Sequence, residues 1–520
     1  MLKKQIVEPR RKVLRTLLGG CAVALPFDFG WREAHAETAA FPDGLLRSRP
    51  EKQGVNPDAI LAFLDDVETD GFELHSFMLW RHGHVIAEGW WSPYRADLIH
   101  MTHSLTKSVT ACAVGLAIAE GRFTVQDKVI SFFKEHLPPA VSDNLAEMTV
   151  QDLLTMRTGH AAMVSGSVWR SIKTSWIAEF FKIPVVYKPG TKFVYTSAAT
   201  YMLSAIVTKT TGQSVADYLK PRLFDPLGIQ DYQWDIGPEG ISPGANGLSW
   251  KTSDSLKLGI LHAQNGVWNG KQILPKEWVA AVQKPYTQKY GYQWWLGPEG
   301  AFLADGLFSQ LSVVFPEQNA VLALTAGIPS KSGFGKLVFK HFPAAFSATA
   351  LDNNRSFAAL TERTAHLQLL PPVVRSSSPV ARHVSGKIYQ FPDNTAHVTS
   401  MQFTFMDAKC VFAMQDSRGT HTIQVGLREP IRGKTTITGS KLHHEYQPEI
   451  MEIVASGDWL DNRTFVMTWI FVESAFRDTV ICRFEGPSLR FDRSVNVNSA
   501  ATELPTLNGR MADMVLIKDD

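Results

Sequence analysis

The chain changes hydrophobic period twice along its length. Phe77 to Trp80 and Val85 to Trp91 are apolar runs separated by Arg81-His82-Gly83-His84, which predicts two strands joined as a hairpin. From Ser104 to Glu120 the period becomes helical. Leu105, Val109, Cys112, Leu116 and Ala117 recur at helical spacing, and Gly121 stands where the helix would stop. Val150 to Met156 and Tyr201 to Thr208 continue the amphipathic pattern through a largely helical middle. Strands return at Tyr290 to Leu296, Phe308 to Phe315 and Ala320 to Ala326, the last two parted by the turn Pro316-Glu317-Gln318-Asn319. This order predicts a mixed α/β (α+β) domain over residues 40–350, an antiparallel sheet with an inserted helical subdomain.

Residues 351–383 read as a linker, centred on the Pro- and Ser-rich stretch Leu369 to Pro379. Beyond it, residues 384–520 carry short alternating segments such as Met401 to Phe405, Thr464 to Phe471 and Thr479 to Phe484. They predict a smaller, mostly β domain. It shows no nucleophile constellation and reads as a packing or substrate-shaping module.

Composition narrows the function classes. A chain of 520 residues exceeds what one core usually supports, and 45% hydrophobic residues can fill two. Lys and Arg total 52 against 50 Asp and Glu, scattered along the chain, so there is no basic footprint for nucleic acid. At the N-terminus, Arg10-Arg11 precedes the apolar stretch Leu17 to Phe27 and then Ala34-His35-Ala36, the order of a twin-arginine export signal over residues 1–36. The protein is therefore expected to be exported, periplasmic or extracellular. Leu18-Gly19-Gly20-Cys21 offers an alternative, a lipid anchor at Cys21. No later apolar run approaches the roughly 20 residues of a membrane span. Cys410 and Cys482 both fall in strand-like runs and are candidates for a disulfide, whereas no Cys/His spacing resembles a metal site.

The chemistry concentrates at Ser104-Leu105-Thr106-Lys107. Residues three apart share a helical face, so the Lys107 amine can approach the Ser104 hydroxyl, and a neutral, desolvated lysine can take a serine proton. Taken alone, the same residues are also a helix cap and a solvated first-turn lysine. Phe193-Val194-Tyr195-Thr196-Ser197 follows Pro189-Gly190-Thr191 and could present a phenol and a hydroxyl to one cleft; Tyr195 alone also fits a core-facing strand.

Together with Asp152-Leu153-Leu154-Thr155-Met156-Arg157-Thr158-Gly159-His160 and Leu223-Phe224-Asp225-Pro226-Leu227-Gly228-Ile229, these motifs resemble the serine β-lactamase and penicillin-binding-protein superfamily. The likeness covers roughly residues 45–345 and is strongest to the class C-related branch of esterases and 6-aminohexanoate-dimer hydrolases. The resemblance implies Ser104 as nucleophile, Lys107 as base and Tyr195 as proton shuttle. Ser197 stands where many relatives carry asparagine. The third motif of the superfamily aligns with Ala304-Asp305-Gly306, where Gly306 is kept and the usual cation is lost. The backbone N–H groups of Ser104 and Leu307 would form the oxyanion hole. Gly306, Ser197 and His160 are candidate substrate contacts, with His103 and the walls Trp90, Trp91, Trp294 and Trp295 as further lining.

The expectation is a serine hydrolase acting on a small-molecule ester or amide, with no metal or organic cofactor, and better on neutral substrates than on penicillins. A β-lactamase or D-alanyl-D-alanine carboxypeptidase is an alternative that the lost cation opposes. A non-catalytic cell-wall or ligand-binding protein is a second, and the joint presence of serine, lysine and tyrosine opposes it.

Overall fold

The computed structural model describes residues 41–512 apart from Ser165, Gln288, Asn353, Asn354 and Pro371. The expected export signal over residues 1–36 and Cys21 lie outside the described residues. Within them no helix is long and apolar enough to cross a membrane.

The first sheet has seven strands: β1 (Leu46–Arg47), β2 (Leu74–Arg81), β3 (His84–Trp90), β4 (Trp295–Leu296), β5 (Phe302–Gly306), β6 (Gln310–Phe315) and β7 (Ala320–Ala326). Their spatial order is β1-β3-β2-β7-β6-β5-β4, so the N-terminal hairpin pairs with the returning strands through β2 and β7, antiparallel from Ala320↔Arg81 onward. β2 is buried along its whole length because both faces are covered. Phe77 and Leu79 face one helical layer, in which Pro57–Thr69 packs, while Met78 and Trp80 belong to the larger core shared with the inserted helices. That larger core is filled from Thr106–Ala119, Ser197–Thr211 and Thr252–Ala263.

The second sheet runs from β8 (Ile388–Gln390) through β9 (Ser400–Phe405), β10 (Lys409–Asp416), β11 (Gly419–Gly426), β12 (Ile431–Thr435), β13 (Met451–Trp459), β14 (Thr464–Phe471), β15 (Arg477–Glu485) and β16 (Ser488–Val495) to β17 (Leu507–Met511). It closes into a barrel where β11 meets β13 at Gly426↔Ser456, around a core rich in Phe and Trp. Alternating burial along β10 and β16 is the sign of one face turned to that core.

Three sequence expectations change. Of Tyr290 to Leu296 only β4 is a strand, because Gln293 turns to φ 61° and its buried amide donates to Leu153 O at 3.1 Å and Leu154 O at 2.9 Å. Phe308 and Ser309 form a left-handed turn, at φ 65° and 69°, so β6 begins at Gln310. The segment 351–383 is no plain linker: it holds the helices Ser356–Ala365 and Pro379–Val384, and Leu360 and Leu367 join the core on the Pro57–Thr69 side of the first sheet. The first helix precedes the Pro- and Ser-rich stretch, and Pro379, which closes that stretch, opens the second. The suggested disulfide is also absent. Cys410 on β10 and Cys482 on β15 are buried free thiols on strands that are not neighbours in the barrel.

The two sheets meet behind residues 100–104. The barrel turn between β14 and β15 receives the Met101 N–H at Glu473 O, 2.8 Å, and the Tyr94 hydroxyl at Ser474 O, 3.0 Å. Arg477 binds Glu73, its Nε 3.0 Å from Oε2, and Asn496 donates to the same carboxylate at 2.9 Å. Met101 and Phe308 belong to the barrel's core cluster although they come from the first domain.

Candidate active site

Ser104 sits in the 3-10 turn His103–Leu105, which runs directly into the helix Thr106–Ala119. Thr102 anchors the entry: its hydroxyl donates to Leu248 O at 2.7 Å and meets the Thr106 hydroxyl at 3.0 Å. His103 takes φ 49°, a conformation costing a non-glycine residue about 1–3 kcal/mol. Its ring is held edge-on by Phe308 at 5.3 Å and by the barrel residues His444 and Phe476. The strained residue before the serine is thus fixed from the second domain.

One turn on, Lys107 is 1% exposed. Its Nζ lies 3.0 Å from Ser104 Oγ, 3.4 Å from Ser197 Oγ and 3.0 Å from Ala245 O. Burial alone pushes its pKa down to about 7, since no carboxylate stands close enough to hold the charge. A neutral amine there can give its two N–H groups to Ala245 O and Ser197 Oγ and turn its lone pair to Ser104.

Ala245 had no sequence signal, because a backbone carbonyl leaves none. What places it is Gly244, at φ 68°, where a Cβ would fall 2.8 Å from the Ser204 Cβ. The Thr110 hydroxyl fixes the same loop by donating to Gly244 O at 2.8 Å.

Tyr195 completes the cluster. Its ring lies 4.9 Å from Lys107 Nζ and stacks on Trp295 at 5.4 Å. Burial raises the phenol's pKa, a hydrogen bond with Ser104 opposes that rise and the charge of Asp305 adds to it. The phenol is therefore protonated at neutral pH. Ser197 opens the helix Ser197–Thr211, with its N–H on Val164 O at 2.9 Å.

β5 passes alongside. At Gly306 a Cβ would meet Thr102 O at 2.1 Å, so only glycine lets this strand lie against the turn that carries Ser104. A cavity of about 350 Å³ opens there, lined by Ser104, Tyr195, Trp295, Asp305, Gly306 and Leu307, among others. Ala304 faces the core, and Asp305 faces the cavity. Burial pushes the Asp305 carboxyl up to about 7. The third-motif departure is therefore larger than a lost cation: an acid points at the site.

The structure brings Ser104, Lys107, Tyr195, Ser197, Gly306 and Leu307 into one neighbourhood. It does not bring His160 there. That ring packs on Phe180 at 5.2 Å, its Nδ1 meets the Thr158 hydroxyl at 3.0 Å, and burial lowers its pKa to about 4. Trp90, Trp91 and Trp294 also lie outside the cavity lining, and Trp294 packs against His262. Among the described residues no group of three His, Cys, Asp or Glu side chains could hold a metal ion.

Residues 67–333 match the family model described as Beta-lactamase. A 6-aminohexanoate-dimer hydrolase of Paenarthrobacter ureafaciens is 23% identical over 385 residues, covering 66% of this chain and 96% of that protein. Esterase EstB of Burkholderia gladioli is 26% identical over 154 residues, 27% of this chain and 39% of its own. Among solved structures, a putative 6-aminohexanoate-dimer hydrolase from Bacillus anthracis superposes with a TM-score of 0.50 at 19% identity, covering 61% of this chain and 90% of that one. At that identity the likeness is one of fold.

Proposed function

Because the chain belongs to the β-lactamase family, we propose that it is a serine hydrolase cleaving a carboxylic ester or amide through an acyl-enzyme on Ser104. The observation that carries this reading is the Lys107 amine, buried without a carboxylate and 3.0 Å from the Ser104 hydroxyl. Neutral Lys107 takes the Ser104 proton as Oγ attacks the substrate carbonyl carbon. The new oxyanion is met by the N–H groups of Ser104 and Leu307. Tyr195, protonated and hydrogen-bonded to Ser104, passes its proton to the leaving oxygen or nitrogen and recovers one from the Lys107 ammonium. Water then attacks the ester of Ser104, giving its proton back through the same pair and releasing the acid. Ser197 and Ala245 hold the amine in line throughout.

Esters and amides are favoured over β-lactams because the cavity offers Asp305 where a substrate carboxylate would need a cation. The Arg10-Arg11 leader supports export of the enzyme to the periplasm or beyond.

The test is intact-mass analysis of the protein and of Ser104→Ala after a fluorophosphonate probe, with aryl-ester hydrolysis followed in parallel. The reading expects a single adduct and ester turnover, both lost in the variant. A folded protein that takes no adduct and turns over no ester would instead be a binding protein.

A further inference from the structure

The Asp305 carboxyl is the one acidic side chain lining the Ser104 cavity, and among the described residues no hydrogen bond or ion pair satisfies it. β5 presents it together with Leu303 on the face turned to the cavity, next to the Gly306 that abuts the nucleophile turn. The nearby cations do not serve it. Lys107 spends its amine on Ser104, Ser197 and Ala245, and Lys331, exposed in the same lining, makes no ion pair with Asp305 among the described residues. The negative charge is felt across the site, since it raises the pKa of both Tyr195 and Tyr290. The indole of Trp295, stacked on Tyr195, lines the same cavity and gives it an aromatic wall, a surface that suits an organic cation.

An unpaired carboxyl in such a wall costs free energy, which it relieves by holding a proton or, as the carboxylate, by pairing with an arriving cation. We propose that Asp305 is the specificity-determining residue of the site and that the substrate is an ester or amide carrying a protonated amine, which Asp305 binds while Ser104 attacks the carbonyl. This rests on the hydrolase reading above and goes further than a preference for neutral substrates. The enzyme selects a cation and rejects an anion. The same acid repels the carboxylate of a penicillin, so the lost cation and the gained acid act in one direction.

The experiment uses p-nitrophenyl esters of one six-carbon acyl chain ending in an ammonium, a methyl or a carboxylate group. A second series carries the same three ends on the leaving group. A charge-assisted hydrogen bond predicts kcat/KM for the ammonium ester about tenfold to a hundredfold above its methyl counterpart in at least one series. The carboxylate ester should be slowest in both. In Asp305→Asn the order should flatten, and in Asp305→Lys it should invert, which loss of structure alone would not produce. Protection of Ser104 from the fluorophosphonate by hexylammonium, hexanol or hexanoate reads the same preference without turnover and on the native protein. Equal rates and equal protection across the three ends, or a preference for the carboxylate, would overturn the proposal and leave the hydrolase reading standing. A folded native protein in which Ser104 takes no fluorophosphonate would sink the hydrolase reading, and the proposal with it.

Discussion

Two regions of this molecule bury charge-bearing side chains, and they do so to opposite ends. In the barrel, Asp478 accepts from His443 Nε2 at 2.8 Å and from Arg493 Nε at 2.6 Å, and Arg493 also reaches Thr438 O at 3.1 Å. Burial pushes the Asp478 carboxyl up, but His443 and Arg493 outweigh it and hold the carboxyl below its usual range. In the cleft, Lys107 and Asp305 are shifted by burial with nothing to outweigh it, each toward its neutral form. Satisfied charges stay charged and stiffen a fold. Charges without an opposite partner sit near neutrality, where a proton moves easily, and this is the condition acid–base chemistry requires.

Four measurements test that contrast. The largest effect is expected at Ser104→Ala, which should lower ester turnover by about a thousandfold or more while the melting temperature is kept. Next, Asp478→Ala leaves Arg493 buried and unpaired and should destabilise the protein by about 3–5 kcal/mol in chemical denaturation. A barrel variant that melted like the native protein would remove the first half of the comparison.

Lys107→Met should do the reverse, losing turnover and gaining stability. Unfolded, the lysine holds its proton up to its ordinary value near 10.5; folded, it releases it above about 7. The native protein therefore gains stability as pH rises between those values, by about 1.4 kcal/mol per unit, and carries the full penalty below them. Methionine removes the penalty, so the variant's advantage in melting temperature should be greatest at pH 6 and fade towards pH 10.

The smallest effect is a slope. With an uncharged aryl ester, kcat/KM should fall about tenfold per pH unit below about 7 as Lys107 takes up its proton. Asp305 titrates in the same range, so the limb should persist in Asp305→Asn if it belongs to the lysine.

The parts of the site legible in the sequence were those with a side chain at a fixed spacing. Ser104 and Lys107 declare themselves three apart at a helix start, and Tyr195 does so through the motif around it. Asp305 was visible as a letter, but its direction depends on which face of β5 meets the cavity, and alternation on a five-residue strand leaves that open. Ala245 acts through a carbonyl positioned by a glycine turn, and Gln293 through a buried amide that overrides a strand-like run; neither has a local pattern. The hairpin and the barrel strands were readable because alternation and turn residues coincide. Thr464–Phe471 has the same bounds in the structure as in the sequence pattern.

Phe308 gives the barrel a meaning beyond packing. The residue lies two positions after Gly306, lines the substrate cavity and is also a member of the barrel's own core. Modularity is lost at that point. A chimera that exchanges the barrel for another, or a shortened chain that ends before it, would withdraw the floor beneath the Leu307 turn while leaving Ser104, Lys107 and Tyr195 in the sequence. Engineering of this protein must treat the boundary between its domains as part of the Ser104 site.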